Sequence, residues 1–456
     1  MYKIFFIARN NIKKQRGDMI TFLVFTLLAS YLIFQCVSAL LGMPKVLEDR
    51  FEKVNGAHVE ALAGNSPEET EAWTKAFTEN KYIVDFETVP FVNMYGQYRN
   101  VKSNDFEEYS FYVEPYTTTS RIMNLEINSS GLKEDDIIIP FFLKSRFSVG
   151  DTMELKFGDN VYRMNVAGYA EDPYFSSSIN ITTYYCYLSQ AMLDRITTDN
   201  PAQAGWGTVY RGVVDQKAID DGLETMTVEK EICEKYLELI APSAESNTMK
   251  NYANYVSINW HMMRGGAQFL PQVVMGVVLM FGVLTLAIAF IIITHGVRNF
   301  IVRNMKNTGA LEAAGYTPSM LRLALVLQIV LVALIGSVLG VALGILTSGF
   351  FGDIVSGVLG LTWNQPIHWP VAALTVVGMV LATYLIAMLI GRVYKKITVL
   401  DALRGGINTH NYKKNHFPLD KSAMPLPVTM SLKNTFGNVR NSILLLVIAA
   451  LLTIAM

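Results

Sequence analysis

Charge is scarce in this chain: only 17% of its 456 residues are Asp, Glu, Lys or Arg, whereas 51% are hydrophobic. That balance, with a positive mean hydropathy, excludes a disordered chain and points away from an ordinary soluble one. Cysteine is nearly absent, with three residues in all, too few for a disulfide framework. Cys186 and Cys233 fall in a polar stretch where a disulfide is chemically permitted, and Cys36 falls in an apolar run. All three read equally well as small apolar packing residues. No G-x-x-x-x-G-K-[ST] loop is present to cradle a nucleotide triphosphate. The six histidines form neither H-E-x-x-H nor a zinc spacing with cysteine, and a G-x-S-x-G elbow is missing. The reading is therefore of a non-enzyme, with no catalytic, cofactor-binding or metal-ligating residue of its own.

What the chain has is long apolar runs. Four can cross about 30 Å of hydrocarbon, which takes roughly 20 helical residues: 19–41, 269–294, 321–347 and 371–390. A fifth, 443–456, begins in the same style and is too short to span. The first run exceeds the apolar core of a cleavable signal and is closed by no Ala-x-Ala-like site, so it reads as a retained helix. Lys3, Arg9, Lys13, Lys14 and Arg16 precede it against Asp18 alone, which predicts a cytoplasmic amino terminus. The same topology then demands an outer segment at 42–268. That segment holds 34 of the 39 acidic residues but 20 of the 38 basic ones, while the inner segments carry the other 18 basic residues. Ionisable side chains are missing from the middles of the four runs, which argues against an ion channel or a proton-coupled carrier.

The expected fold is thus an α-helical membrane protein, four complete transmembrane helices plus the start of a fifth, with a large α+β extracytoplasmic domain between helices 1 and 2. In that domain Ile137 to Ile139 predict a strand. The alternation of Met153, Leu155 and Phe157 continues through Gly158-Asp159-Asn160 into 161–168 as a hairpin. A helix is expected over 218–240, with Ile219, Leu223, Met226, Ile232 and Tyr236 on one stripe. After helix 4, 405–440 reads as a basic, turn-rich linker. Arg9-Asn10 and Arg16 recur as Lys433-Asn434 and Arg440 at one offset, so the chain is expected to hold one unit and the opening of a second, beginning near Met430.

Two local patterns stand out. In the third run Gly336, Gly340 and Gly344 recur every four residues, which predicts a flat strip for close helix packing. Between the second and third runs lies NTGALEAAGYTPSMLRLAL, at 307–325. It predicts a break at Asn307 to Gly309, a short helix over 310–314 ended by Gly315, and a new helix opened by Thr317 as N-cap and Pro318. The result is an elbow presenting Leu311 and Glu312 among alanines.

The passage RNMKNTGALEAAGYTPSMLRLALVLQIVLVALIGSVLGVALG resembles the signature of the FtsX-like permease domain of MacB- and LolC-type (type VII) ABC transporters. VGDTMELKFGDNVYRMNVAGYAEDP is similar to the MacB-like periplasmic core, matched at Gly150, Asp151 and Gly168. ITVLDALRGG, with Ala402, Leu403 and Arg404, is similar to the family's exit from helix 4. The resemblance implies 1–42 as the cytoplasmic amino terminus and helix 1, 43–268 as the MacB-like domain, and 269–404 as the permease domain. It also implies a bacterial plasma membrane location. Gly309, Ala310, Leu311, Glu312, Ala313, Ala314 and Gly315 would form the coupling segment for a separate cytoplasmic ABC ATPase dimer, which binds the ATP. A second FtsX-like unit, in trans or in the same longer chain, would complete the pair; the lipid bilayer is a partner and nucleic acid is not. Strokes of the ATPase would move the outer domain to export or extract a lipophilic, peptide or lipoprotein cargo. The alternatives are an FtsX-type mechanotransmitter acting on a cell-wall hydrolase and a receptor without an ATPase. Glu312 departs from the family pattern, where this position is usually basic or neutral, and the glutamate often found in the basic lead-in is missing.

Overall fold

The computed structural model describes residues 2–116, 120–127, 131–175, 183–240, 255–363, 367–392 and Met430. The expected linker, the helix exit at 402–404, the fifth apolar run and the second unit near Met430 all lie outside these residues, Met430 itself apart. The chain divides into two compact units. One comprises Met1–Ala39, Met275–Ser348 and Pro366–Met456, and the other Leu40–Val274 with Gly349–Gln365.

The helical elements, in chain order, are α1 (Tyr2–Lys14), α2 (Arg16–Lys53), α3 (Pro67–Thr78), α4 (Gln190–Asp199), α5 (Gln216–Asp220), α6 (Thr225–Ile240), α7 (Trp260–Arg303), α8 (Met305–Ala313), α9 (Pro318–Leu346), α10 (Ser348–Leu359) and α11 (Trp369–Ile390). The strands are β1 (Val59–Gly64), β2 (Ile83–Asn100), β3 (Glu107–Pro115), β4 (Asp136–Pro140), β5 (Thr152–Phe157), β6 (Asn160–Ala170), β7 (Thr183–Leu188), β8 (Ala204–Val214) and β9 (Tyr255–Asn259). Four helices, α2, α7, α9 and α11, are long and apolar enough to cross a membrane. They contain the four apolar runs but for Thr347, the C-cap of α9, and α2 and α7 extend well past theirs; the unit boundaries at 39/40 and 274/275 fall inside these two helices.

In the first unit the helices α9 and α11 pack along each other. Arg322 ties them at one end, its guanidinium donating to the Met388 carbonyl at 2.9 Å. The basic amino-terminal segment is itself a helix, α1. Its spacing of Ile4, Ile7, Ala8 and Ile12 at three and four residues puts an apolar stripe on one side, and that stripe joins a core with Met19, Phe22, Ile293, Val297, Ile301, Leu321 and Leu325. The helix was not read from the sequence because its cationic residues hid the stripe.

The second unit is built on one nine-stranded sheet in the order β3-β7-β4-β6-β5-β2-β8-β1-β9, and β2 also pairs β3. Six strands therefore close a hydrogen-bonded ring, and β2, 18 residues long, belongs both to the ring and to the open sheet β2-β8-β1-β9. Its residues 92–98 face β3 while 83–94 face β8. Each region has its own core. The ring encloses Met94, Tyr98, Phe111, Met153, Leu155, Phe157, Met164 and Cys186. The open sheet is covered by α3 and α6, which bury Trp73, Phe77, Val228, Ile232 and Tyr236 against Val59, Ala61 and Tyr210. Trp73 stacks on Tyr236 with ring centroids 4.0 Å apart.

The expected hairpin is β5–β6, paired from Thr152↔Asn165 to Phe157↔Asn160, and Gly158 supplies the positive φ of 59° that its turn requires. The expected helix over 218–240 is two helices. Gly222, at φ 101°, breaks it after α5, and the stripe that α6 buries is Thr225, Val228, Ile232 and Tyr236; Met226 is exposed. Cys186 and Cys233 contribute to different cores and all three cysteines are free thiols.

Candidate functional site

The elbow forms where α7 ends. Its break lies at Asn304, three residues ahead of the expected one. Asn304 leaves helical geometry at φ −104°, ψ 19°, its side-chain amide donates back to the Phe300 carbonyl at 3.1 Å, and its own carbonyl accepts from the Thr308 amide and hydroxyl. Asparagine competes with the backbone for hydrogen bonds, which suits it to a helix end. Gly309, expected to be part of the break, is a buried residue of α8 together with Met305 and Thr308.

The other end of α8 is closed as the sequence indicates. Gly315 sits at φ 93°, its amide donates to Glu312 O at 3.0 Å, and the Tyr316 amide donates to Leu311 O at 3.1 Å. These two bonds form a Schellman motif, whose left-handed residue favours glycine. Thr317 then caps α9, its hydroxyl accepting from the Met320 amide at 3.3 Å, with Pro318 in the first turn.

The seven residues expected to form a coupling segment thus divide into inward and outward sets. Gly309 is buried, Leu311 and Glu312 are half-buried, and Ala310, Ala313, Ala314 and Gly315 are exposed. Leu311 and Tyr316 pack at the edge of the core that holds the stripe of α1, and the Lys3 ammonium lies 5.9 Å from the centroid of the Tyr316 ring. The elbow therefore rests on the amino-terminal helix, a support that the sequence reading did not identify. The three alanines form a smooth outward face. On its flank, Glu312 has a buried Oε1 with no hydrogen-bonding partner among the described residues, and burial raises its carboxyl pKa above the usual range.

The glycine strip of α9 lies against α2. A Cβ on Gly336 would come within 2.5 Å of the Thr26 hydroxyl and 3.0 Å of the Leu23 carbonyl; one on Gly340 would collide with the Ser30 hydroxyl and the Leu27 carbonyl; one on Gly344 would approach the Phe34 ring to 2.6 Å. Thr26, Ser30 and Phe34 are themselves four apart, so three pairs interlock along one seam. The hydroxyls are satisfied within their own helix, Thr26 donating to Phe22 O at 2.6 Å and Ser30 to Thr26 O at 2.7 Å. At the far end Gln35 Nε2 crosses the seam to Gly344 O at 3.0 Å. Such close backbone approach and interhelical hydrogen bonding hold helices together where lipid removes the hydrophobic drive.

Residues 279–399 match the family model described as FtsX-like permease C-terminal. That stretch is thus similar to the FtsX-like permease family, which is a membrane component of ABC transporters. The match contains the elbow, the glycine strip, α9, α10 and α11, and includes neither α2 nor the nine-stranded sheet. No curated protein matches the chain.

Proposed function

We propose that the chain is the permease subunit of an ABC transporter, moved by a separate cytoplasmic ATPase that docks on α8. The observation that carries this reading is the family match at 279–399, which encloses a capped nine-residue helix with an alanine face turned outward. A face of Ala310, Ala313 and Ala314 fits a groove on a partner closely because no side chain beyond a methyl holds the surfaces apart, and Glu312 on its flank complements a cation there. Force applied to α8 passes first to α1 and α9, with which it shares a core, and then to α2 through the glycine seam.

In this reading the amino terminus is cytoplasmic and the nine-stranded unit is extracytoplasmic, as the charge distribution favours. The chain enters that unit through α2 and leaves it through α7, so both spans are covalently in series with it. A two-fold ATPase dimer needs two such permease units, supplied by a second copy or by a second unit of a longer chain. The cargo is lipophilic, peptidic or a lipoprotein, handled on the outer side.

The test is co-purification of the cytoplasmic ATPase with the full chain carrying Ala313→Arg, at an exposed position that leaves the buried side of α8 intact. Loss of the ATPase with unchanged thermal unfolding is the expected result. Retention of the ATPase at the unsubstituted level refutes docking on this face.

A further inference from the structure

The connection between the third and fourth spanning helices contains a helix that the sequence reading did not find, and its surface is unlike that of the other helices of its unit. α10 starts one residue after Thr347, the C-cap of α9, and the chain enters α11 at Trp369. Both ends of this connection are therefore fixed to spanning helices, which puts α10 at the bilayer edge where α9 ends.

One side of α10 is committed to the second unit. Gly352, Val355, Ser356 and Leu359 are buried, and the Ser356 hydroxyl accepts from the Trp363 amide at 2.8 Å, with Leu361 and Trp363 buried beside it. The next turn is clasped to the sheet. Thr362 donates its hydroxyl and its amide to the two Glu171 carboxylate oxygens at 2.5 and 3.2 Å, and Arg50 Nε donates to the Glu171 carbonyl at 2.8 Å. The opposite side is apolar and bare: Phe350 is 71% exposed and Ile354, one turn on, 50%. Exposed Asp353 and the glycines Gly349 and Gly357 lie to one flank, half-buried Phe351 and Val358 to the other. α10 carries no Lys or Arg, so a nucleic acid or an anionic protein has nothing to pair with there.

We infer that α10 is a lipid-binding foot of the second unit: Phe350 and Ile354 enter the headgroup and acyl boundary of the adjacent leaflet while Asp353 stays in water. Helices that lie in the interface carry this division of faces. With no cation to seek anionic lipid, the contact is apolar and independent of headgroup charge. The Thr362–Glu171 clasp ties this foot to the rest of its own unit.

The test places a nitroxide spin label at Phe350→Cys, Asp353→Cys, Ile354→Cys and, as a reference, Val161→Cys. Val161 is an exposed apolar residue at the start of β6, 48% exposed and remote in sequence from any span. The background is full-length chain with Cys233→Ala, since Cys36 and Cys186 are buried. The chain is reconstituted in vesicles of phosphatidylethanolamine and phosphatidylglycerol, and again in phosphatidylcholine alone. Oxygen partitions into lipid and a nickel chelate into water. Collisions with oxygen should exceed those with the chelate at 350 and 354, and the order should reverse at 353 and 161, alike in both vesicles. Chelate collisions at 350 and 354 equal to those at 161 overturn the inference in favour of a water-exposed face. Low collision with both probes at 350 and 354 overturns it in favour of cover by protein, such as a second copy of the chain.

Discussion

The two units solve the burial of polar groups in opposite ways. The membrane unit uses uncharged polar groups along its seam: Thr26 and Ser30 bond carbonyls of their own helix, Gln35 crosses to the Gly344 carbonyl, and Gly336, Gly340 and Gly344 let two backbones meet. The nine-stranded unit buries full charges. Arg211, 3% exposed, lies 3.3 Å from Glu60 Oε1 and donates to Glu114 Oε1 at 2.9 Å, and the Tyr185 hydroxyl donates to the same Glu114 oxygen. Asp172 is buried nearby, its carboxylate accepting from the Tyr174 and Phe175 amides. A core surrounded by water can hold such a cluster because a thick shell of sheet and aromatic rings is available; a bundle in lipid gains more from close contact than from charge.

The largest expected effect tests that difference directly. Arg211→Met removes the cation paired with the buried Glu114 carboxylate, and uncompensated buried charge costs about 3–5 kcal/mol. Of the five tryptophans, Trp73, Trp206, Trp260 and Trp363 lie in the nine-stranded unit, so intrinsic fluorescence follows that unit. We expect its unfolding temperature to drop sharply while the helical signal of the membrane unit persists. Loss of both signals together would mean that the two units unfold as one.

The converse substitution is in the seam. Gly340→Ala sets a methyl against the Ser30 hydroxyl and the Leu27 carbonyl, and the carbonyl belongs to a helix backbone that cannot step aside. Overpacking of this kind costs about 1–3 kcal/mol. Gly344→Ala meets the Phe34 ring, which can rotate away, so the expected order of loss is Gly340, then Gly336, then Gly344. Denaturation of the helical signal by titrated detergent measures the order, and equal losses at all three positions would remove the seam as the cause.

These contrasts were unequally legible in the sequence. The four spans, the glycine strip, the Gly315 stop and the Thr317-Pro318 start were readable because apolar length, four-residue spacing and capping chemistry are local. The elbow's true break was not: Asn304 ends α7 through a hydrogen bond to Phe300, a choice that Asn307 and Gly309 looked equally able to make. The ring closed by β2 depends on pairings as distant as Val92↔Val113 and Gln97↔Lys156 within one strand, which no local pattern reports. The Arg211 cluster draws on β1, β3, β8 and the segment after β6, so its members could not be grouped before the fold was known. At the candidate site the pattern put Leu311 and Glu312 forward, whereas Leu311 packs at the edge of the core and the alanines face outward; the support by α1 was masked by that helix's own cations.

The third effect is a pH dependence of the nine-stranded unit. Burial raises the Glu60 carboxyl from 4.5 to about 8 and that of Asp172 from 3.8 to about 6, against the lowering effect of Arg211, while burial lowers His58 from 6.5 to about 4. Between about pH 4 and 6.5 the carboxyls and the imidazole act in opposite directions. Between 6.5 and 8 Glu60 alone of the three counts: the folded state holds a proton that the unfolded chain has released, so stability is lost as pH rises through that window. One unit of pKa corresponds to about 1.4 kcal/mol, which sets a slope on the order of 1 kcal/mol per pH unit. Tryptophan-detected unfolding should show this fall, and Glu60→Gln should flatten it; a slope that survives the substitution assigns the proton to another group.

The smallest effect returns to the elbow and asks how far a local defect travels. Thr317→Ala removes the hydroxyl that caps α9, worth about 1 kcal/mol. Pro318 still presets the first turn, and Leu321, Ala324 and Leu325 still anchor α9 in the core shared with α1. Exchange of the Met320 amide, the one held by the Thr317 hydroxyl, should therefore quicken, while amides from Leu325 onward keep their protection. The nine-stranded unit should unfold at an unchanged temperature. If the loosened cap instead weakens protection along all of α9, the glycine seam with α2 is too weak to hold that helix once its first turn opens. The comparison would then sharpen: the aromatic sheet would tolerate local defects, and the membrane unit would pass them along its length.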